Sequence, residues 1–407
     1  MDRRPGLEEV RSRRRGDAKE VLGAFLKLGV TSFGGPIAHL GYFRHEFVQR
    51  RRWMDEAQYA ELVALCQFLP GPASSQVGFA LGLHRAGLLG GLAAWAGFTL
   101  PSAMLMFAFA YAAAGLGGPL GQALIHALKL VAVVIVAHAV LGMARTLAPD
   151  ARRAAIAVAA VAMISVLGGA LAQIGAIAAG AALGLALCRD GAAAEGAALG
   201  FGVGRKLGAA CLAAFALILV GAPLLSQATG AQGLALFDAF YRAGALVFGG
   251  GHVVLPLLQA ETVDPGWISR DGFLAGYGAA QAVPGPLFTF SAYLGAAVGP
   301  APNGLAGALI ALLAIFLPGL LILVGALPFW DQIRRAPAAQ AALRGVNAAV
   351  VGVLAAALYD PVWTSAVARP EDFALVAAGF TALTVWKAPP WAVVVGVVTL
   401  RLAIGIL

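Results

Sequence analysis

The chain has 407 residues, of which 60% are hydrophobic and 12% are charged, and its formal net charge is +8. Because a soluble globular domain carries about 25% charged residues, this composition excludes a soluble enzyme or a soluble binding module. The positive charge is concentrated near the start, where eight basic residues lie between positions 3 and 27. Since lysine and arginine are retained on the cytoplasmic side of a membrane, we interpret residues 1–20 as a basic cytoplasmic tail and not as a nucleic-acid-binding arm.

Long uncharged stretches predict membrane-spanning helices. No Asp, Glu, Lys or Arg occurs from Gly272 to Trp330, and only Lys129 occurs from Leu88 to Met143. A bilayer span needs about 20 apolar residues, so each stretch can hold two spans. The sequence therefore predicts an all-α polytopic membrane protein. The predicted full spans lie near residues 88–113, 122–143, 154–171, 173–188, 208–225, 303–326, 339–358, 372–386 and 390–407.

The second half of the chain repeats the first at an offset of about 214 residues. An ordered set of matching motifs at a nearly constant offset indicates two homologous repeats, predicted at 21–190 and 236–407. The linker at 191–235 is predicted to contain one helix that inverts the chain direction. The motifs Phe25-x3-Gly29-x3-Phe33-Gly34-Gly35 and Gln67-x2-Pro70-Gly71-Pro72 are matched by Phe240-x3-Gly244-x3-Phe248-Gly249-Gly250 and Gln281-x2-Pro284-Gly285-Pro286.

Each repeat is predicted to interrupt its helices twice, at the Gly-Gly pair and at the Pro-Gly-Pro. Proline removes a backbone donor and clashes with the preceding turn, so Pro-Gly-Pro cannot lie inside a regular helix. Interrupted segments at matching places in two halves indicate a transporter binding site, although glycine also serves close packing of membrane helices. We predict re-entrant half-helices near residues 57–69, 73–83, 272–283 and 287–297.

The charges between the breaks predict that the two repeats are inverted. In the loop that follows the Gly-Gly pair, the first repeat has arginines at positions 44 and 50–52. The second repeat has Glu261, Asp264 and Asp271 there, against a single arginine, Arg270. By the positive-inside rule the first loop is cytoplasmic and the second is not. Asp238 and Arg242, which are four residues apart in the second repeat, are expected to pair on one helix face.

Polar residues follow the breaks where an anion could bind. Free N–H groups and the dipole at a helix start attract anions, and hydroxyl and amide groups add donors, although such residues also serve as ordinary N-caps. An ionisable residue within a span either has a function or extends to the surface, and Lys129 is of this kind. The candidate binding residues are Gly34, Gly35, Pro70, Gly71, Pro72, Ser74, Ser75, Gln76, Gly249, Gly250, Pro284, Gly285, Pro286, Thr289, Ser291 and Lys129.

His39, His252 and Glu46 are candidates for proton coupling, because histidine titrates near neutral pH and a carboxylate can carry a proton. The alternatives are packing for the histidines and solvation in a loop for Glu46. No metal or cofactor site is expected, since the cysteines are isolated and no nucleotide motif occurs. The residues thus predict an anion transporter driven by an ion gradient or by the gradient of its substrate.

These motifs also resemble one family. Phe33-Gly34-Gly35-Pro36, Leu40-Gly41-Tyr42-Phe43-Arg44, Gln67-x-Leu69-Pro70-Gly71-Pro72-Ala73-Ser74-Ser75-Gln76 and Trp95-x-Gly97-Phe98-Thr99-Leu100-Pro101-Ser102 are similar to those of the chromate transporter family in its long two-domain form. The resemblance implies export of chromate across the bacterial inner membrane, driven by the proton motive force and conferring chromate resistance. It also implies two homologous domains of opposite orientation, with the N-terminus in the cytoplasm.

Other functions stay open at this level. Sulfate is a tetrahedral dianion of similar size, so transport of sulfate or another oxyanion is an alternative, as is a passive anion channel. An intramembrane chromate reductase would need a redox motif, which the sequence does not carry. The expected partners are chromate or sulfate, protons and the lipid bilayer, and a homodimer is a candidate assembly.

Overall fold

The computed structural model describes residues 16–115, 118–189 and 199–406, and within these ranges the chain is helical without any strand. Residues 1–15 of the predicted tail and 191–198 of the predicted linker lie outside the described residues. The expectation of an all-α, multi-pass membrane protein is confirmed. Among the described residues, five helices are long and apolar enough to cross a membrane: Ala73–Ala113, Gly118–Leu147, Arg205–Thr229, Gly304–Arg335 and Pro337–Ala366.

The first repeat begins with three short helices, which are followed by longer ones. We number the helices of six or more residues in chain order. They are α1 (Ala18–Thr31), α2 (Gly35–Phe43, extended by a π-helix, Arg44–Arg50), α3 (Glu56–Phe68), α4 (Ala73–Ala114), α5 (Gly118–Leu147), α6 (Ala151–Leu167) and α7 (Gly169–Leu187). Helix α4 is bent at Ala86 and Gly87, whose backbone is not helical, so the predicted span at 88–113 is its second part. Helix α8 (Arg205–Thr229) then connects the two repeats.

The second repeat follows the same order. Its helices are α9 (Gln232–Ala245), α10 (Val254–Thr262), α11 (Arg270–Ala280), α12 (Phe290–Ala297), α13 (Gly304–Ala326), α14 (Trp330–Arg335), α15 (Pro337–Ala357), α16 (Pro370–Thr384) and α17 (Pro390–Ile406). Single 3₁₀ turns, Gly251–Val253 and Leu287–Thr289, precede α10 and α12. Helices α9 to α11 correspond to α1 to α3, α12 and α13 to the two parts of α4, and α15 to α17 to α5 to α7.

The predicted half-helix at 272–283 ends earlier, at Ala280. The N–H groups of Gln281 and Ala282 donate to the carbonyls of Gly278 and Ala279, three residues back instead of four. This tightening is a common way for a helix to end. It leaves a longer non-helical segment before the second Pro-Gly-Pro than the sequence predicts.

Helices of each repeat pack against helices of the other. Helices α6 and α7 of the first repeat pack against α15 of the second, and α16 and α17 pack against α5. Small residues allow this close approach: a methyl group on Gly184 would lie 2.4 Å from the Ala341 carbonyl oxygen, and one on Gly352 would lie 2.1 Å from that of Ala157. Because close backbone packing is a main source of helix association in lipid, the two repeats form one body.

The polar contacts identify one end of the helix bundle. Here Arg152 donates to the Leu187 carbonyl (3.0 Å) and Arg344 donates to the Cys188 carbonyl (2.7 Å). The loop between α2 and α3 of the first repeat lies toward this same end, because Glu61, in the first half of α3, pairs with Arg334 of α14 (3.0 Å). We call this the basic end.

Other contacts identify the opposite end, since α5 has 30 residues and is about 45 Å long. Near the start of α5, His126 contacts Asp372 (2.7 Å) and Lys129 pairs with Asp271 (2.6 Å). Asp271 begins α11, so the loop between α10 and α11 of the second repeat lies at this end, which we call the acidic end. Corresponding loops of the two repeats therefore lie at opposite ends, as inverted repeats require.

A buried ion pair joins the two repeats at the basic end. Arg334 is 4% exposed and Glu61 is 9% exposed, and the indole of Trp330 also donates to the Glu61 carboxylate. Asp331 makes a second ion pair with Arg334 (2.7 Å). Removal of one partner of a buried ion pair leaves an uncompensated charge, which makes Glu61 a residue on which stability depends.

We expect Glu61→Ala to lower the free energy of unfolding by about 3 kcal/mol, since breaking a buried pair costs about 3–5 kcal/mol and Asp331 still neutralises Arg334 in part. The melting temperature of the purified protein in detergent measures this change. The control is Glu56→Gln. Glu56 is half exposed, and the hydrogen bond from Arg44 holds the pKa of its carboxyl below the usual value. Equal melting temperatures for the two variants would contradict the prediction.

Candidate functional site

The backbone at both breaks of each repeat has a geometry that requires glycine. Side chains of L-residues disfavour positive φ angles, whereas glycine adopts them freely. Six glycines at the breaks have such angles: Gly34 (102°), Gly35 (75°), Gly71 (118°), Gly249 (73°), Gly250 (147°) and Gly285 (94°). The two Gly-Gly pairs and the two central glycines of Pro-Gly-Pro are therefore turns that redirect the chain.

The breaks of one repeat bond to those of the other. The Gly71 N–H donates to the Val247 carbonyl (2.7 Å), and the Gly285 N–H donates to the Ser32 carbonyl (2.9 Å). Ser32 and Val247 hold equivalent positions, each two residues before a Gly-Gly pair. Such reciprocal contacts are typical of a two-fold relation between two similar units. The pseudo-two-fold axis of the molecule therefore passes between the breaks.

Four helix starts meet beside this axis. Helix α2 starts after Gly34, α4 after Pro72, and the 3₁₀ turns that precede α10 and α12 start after Gly250 and Pro286. No side chain caps any of these four starts. Each helix start carries about half a positive charge, so four of them supply about two charges in total. This arrangement favours a small dianion.

Direct contacts place these helix starts together. A methyl group on Gly251 would lie 3.4 Å from Pro36 Cγ at the start of α2 and 3.9 Å from Leu287 Cδ2. The Nδ1 atom of His39 lies 3.5 Å from the Ser74 hydroxyl, which brings α2 to the first turn of α4. The four starts therefore belong to one site at the meeting point of the repeats.

Several buried polar atoms at this site have no hydrogen-bond partner in the described part of the chain. Buried polar groups in proteins are nearly always bonded, so such a concentration identifies atoms that can bond a ligand. The hydroxyls of serine and threonine, the histidine ring and the glutamine amide can all donate. The atoms are Ser32 Oγ, His39 Nε2, Ser75 Oγ, Thr99 Oγ1, Gln281 Nε2 and Ser291 Oγ.

Three of these residues were not among the candidates from sequence. Ser32 precedes the first Gly-Gly pair where the second repeat has valine, so a polar residue at an apolar repeat position was the available signal. Thr99 lies in the Phe98–Pro101 motif, next to Ser102, whose hydroxyl would be 2.7 Å from a methyl group on Gly285. Gln281 is the repeated glutamine three residues before Pro-Gly-Pro.

Gln76 and Thr289 use their donors to hold the turns. The Gln76 amide donates to the carbonyls of Pro70 and Gly319, both at 2.9 Å, while its own Oε1 is buried without a partner. The Thr289 hydroxyl donates to the Pro286 carbonyl (2.8 Å). Because their donors are occupied, these side chains position the backbone N–H groups and do not themselves offer a donor to an anion.

Other candidates from the sequence lie in different surroundings. Lys129 pairs with Asp271 at the acidic end, and Glu46, which is 5% exposed, pairs with Arg51 (2.6 Å) at the basic end. The Nδ1 atom of His252, two residues after the second Gly-Gly pair, lies 2.8 Å from the Tyr277 hydroxyl. Within the described ranges no group of three or more His, Cys, Asp or Glu could hold a metal ion.

Comparisons with known proteins agree on one family. The family model described as chromate transporter matches residues 19–185 and again residues 234–402. The chain is 29% identical to the chromate transport protein of Pseudomonas aeruginosa, over 90% of this chain and 87% of that one. It is 30% identical to the probable chromate transport protein of Synechococcus elongatus, over 84% and 83% of the two chains. No solved structure matches the chain significantly.

We expect Gly71→Ala to destabilise the site, because φ at this position is 118° and the added methyl group would lie 2.9 Å from Gly319 Cα. Backbone strain of this kind costs about 1–3 kcal/mol, to which the clash with Gly319 adds. The melting temperature in detergent should fall by several degrees. The control, Gly41→Ala, adds the same methyl group in open space within α2. An equal effect of both substitutions would contradict the role of the turn.

Proposed function

Because the chain belongs to the chromate transporter family, we propose that it carries chromate across the membrane and binds the anion between the four helix starts at the breaks. The observation that supports this most directly is the convergence of four uncapped helix starts with unpaired hydroxyl, imidazole and amide groups. Chromate is a tetrahedral dianion with four acceptor oxygens, and donors that approach from both repeats can surround such a shape.

The proposed site holds the anion without a fixed cation. The buried cations Lys129 and Arg334 each pair with a carboxylate elsewhere, at 2.6 Å and 3.0 Å. Helix dipoles and neutral donors bind a dianion less tightly than a paired arginine does. Transport benefits from this, because an anion must bind well enough to enter and weakly enough to leave.

We further propose that the basic end faces the cytoplasm of a bacterium and that transport is outward across the inner membrane. The positive-inside rule supports this orientation, since Arg44, Arg152 and Arg344 lie at the basic end. A membrane potential of 100 mV contributes about 2.3 kcal/mol per charge, hence about 4.6 kcal/mol for a dianion that moves outward. The proton motive force therefore favours export through its electrical component alone.

His39 is a candidate for linking this transport to protons. Its ring lies at the site, and protonation turns both ring nitrogens into donors. Such a link distinguishes a coupled carrier from a passive anion channel. Sulfate is the competing substrate, because the same donors suit any tetrahedral dianion.

The first test is chromate uptake into inverted membrane vesicles that contain the protein. We expect energised vesicles to accumulate chromate, and an uncoupler to abolish the accumulation. Membranes without the protein are the control, and unlabelled sulfate is the competitor. Uptake no greater than in control membranes would refute export. A fall of saturated chromate uptake to about half in an equal concentration of sulfate would mean that the protein binds the two anions equally well.

We expect Ser75→Ala and Ser291→Ala each to raise the KM for chromate about tenfold or more, because a hydrogen bond to a charged group contributes about 1.5–3 kcal/mol. The rate of uptake against chromate concentration measures this change, with protein amounts matched by immunoblot. Ser226→Ala in α8, remote from the breaks, serves as the control. Unchanged KM values in both variants would remove the hydroxyls from the anion site.

A further inference from the structure

A second charged cluster lies on the side of the breaks that faces the acidic end. One Arg242 nitrogen, Nη2, contacts both Asp238 (2.6 Å) and Glu261 (3.2 Å), and the Nε of the same side chain is buried without a partner. Asp238 and Arg242 lie on α9, whereas Glu261 is near the end of α10. The pairing of Asp238 with Arg242 expected from sequence is confirmed, and Glu261 is the third member that only the fold brings in.

The cluster has one negative charge in excess when all three groups are ionised. The Asp238 side chain is 9% exposed and that of Glu261 is 15% exposed, so both are largely withdrawn from water. Two carboxylates that share one cation in such surroundings bind a proton more readily than an isolated carboxylate does. The Arg242 side chain is 29% exposed, so the cluster is not sealed inside the protein.

A small cavity adjoins the cluster between α7, α9 and α10. Glu261, Gln173, Ala243 and Leu246 line it. Gln173 is 9% exposed; its amide donates to the Pro256 carbonyl (3.1 Å), and its Oε1 has no partner. Gln173 Oε1 is therefore a free acceptor on a residue that lines the same cavity as Glu261, whose carboxyl gains an O–H donor when it is protonated.

The surrounding elements add few charges to this cluster. Asp264, in the loop after α10, contributes a further negative charge toward Glu261, and His252 lies at the start of α10. Helices α7 and α13 contain no Asp, Glu, Lys, Arg or His. The ionisable residues of α8 and α15 lie in the half of each helix that is nearer the basic end. They are Arg205, Lys206, Cys211 and Arg344.

The cluster is also connected to the anion site. Arg242 lies one turn before Leu246, whose N–H donates to the Arg242 carbonyl (3.1 Å). The residue after Leu246 is Val247, and its carbonyl accepts the hydrogen bond from the Gly71 N–H in the first Pro-Gly-Pro. A change in how Arg242 holds α9 against α10 therefore reaches the turn that presents Ser75.

The geometry points to Asp238, Arg242 and Glu261 as the proton-binding site of this transporter, with Glu261 as the group that takes up the proton. This inference rests on the proposed export of chromate. A proton from the acidic end forms an O–H bond with Glu261 and removes its ion pair with Arg242. The contact between α9 and α10 then weakens, the turn at Gly71 is released, and chromate leaves toward the acidic end. The proton leaves Glu261 toward the basic end when the ion pair forms again.

The test separates the pH difference from the membrane potential. Inverted vesicles with an acidic interior are clamped at zero potential with potassium and valinomycin, and chromate uptake is measured. If one proton is exchanged per chromate, a pH difference of one unit supports an about tenfold accumulation. We expect Glu261→Gln to reduce this accumulation to the level of membranes without the protein, while chromate–chromate exchange at equal pH persists. The matched control is Glu371→Gln, an exposed glutamate in the first turn of α16.

Wild-type accumulation in Glu261→Gln would overturn the assignment, and so would accumulation that follows a sodium gradient in place of the pH difference. If the membrane potential drives accumulation in all variants and the pH difference drives none in the wild type, chromate export stands and this proton site is refuted.

A second measurement does not depend on transport, and it applies if Glu261→Gln has also lost chromate–chromate exchange. Chromate added to the purified protein should release or take up protons, as read by a pH dye, in the wild type and in Glu371→Gln. The same signal in Glu261→Gln would refute the proposal.

Discussion

The structure depends on how backbone groups at the breaks are satisfied inside a membrane. Lipid offers no hydrogen bonds, so non-helical backbone is tolerated only where protein or a watery cavity surrounds it. Here the two repeats satisfy part of this need for each other, through the reciprocal bonds from Gly71 to Val247 and from Gly285 to Ser32. The N–H groups at the four helix starts are left uncapped. The constraint that joins the repeats thus also brings uncapped helix starts from both of them together, where we propose that the anion binds.

The parts of this fold that follow from local chemistry could be predicted from the sequence. A Pro-Gly-Pro or Gly-Gly sequence disfavours a regular helix through its own backbone, so both Pro-Gly-Pro turns and both Gly-Gly pairs were located from residue type and repeat spacing. The single prolines Pro101, Pro223 and Pro318, by contrast, lie inside helices. Charge in the loops predicted the inversion, because lysine and arginine bias topology directly. The hydrogen bonds of Arg152 and Arg344 to the end of α7 define one end of the bundle, and the ion pair of Lys129 with Asp271 defines the other. These contacts assign corresponding loops of the two repeats to opposite ends, in agreement with that prediction.

The rest required tertiary contacts that no pattern in one sequence encodes. Gln76 has an amide group that could bind an anion, and only its hydrogen bonds to the carbonyls of Pro70 and Gly319 show that its donors are occupied. Lys129 in an apolar span suggested a binding cation, yet Asp271, 142 positions further on, neutralises it. Glu261 lies on a different helix from Arg242, with a turn between the two helices, so helix periodicity could not predict their ion pair. In each case a partner distant in sequence decides what the side chain can do.

The two repeats share a backbone plan but differ in the side chains that would make transport directional. Ser32 corresponds to Val247, and four of the six unpaired polar atoms at the proposed anion site belong to the first repeat. The pair of Asp238 and Arg242 has no counterpart in the first repeat, where Lys27 takes the place of Arg242 and is exposed, and Gly23 takes the place of Asp238. A symmetric pair of repeats would respond equally to protons from either side. Carboxylates also share one arginine at the basic end, where Glu61 and Asp331 both pair with Arg334, so a shared arginine does not by itself give coupling a direction. In the proposed mechanism the direction comes from the connection of Arg242 through the end of α9 to the turn at Gly71. A proton that binds Glu261 then acts on the proposed anion site, and a proton gradient has a defined direction in which to drive the anion.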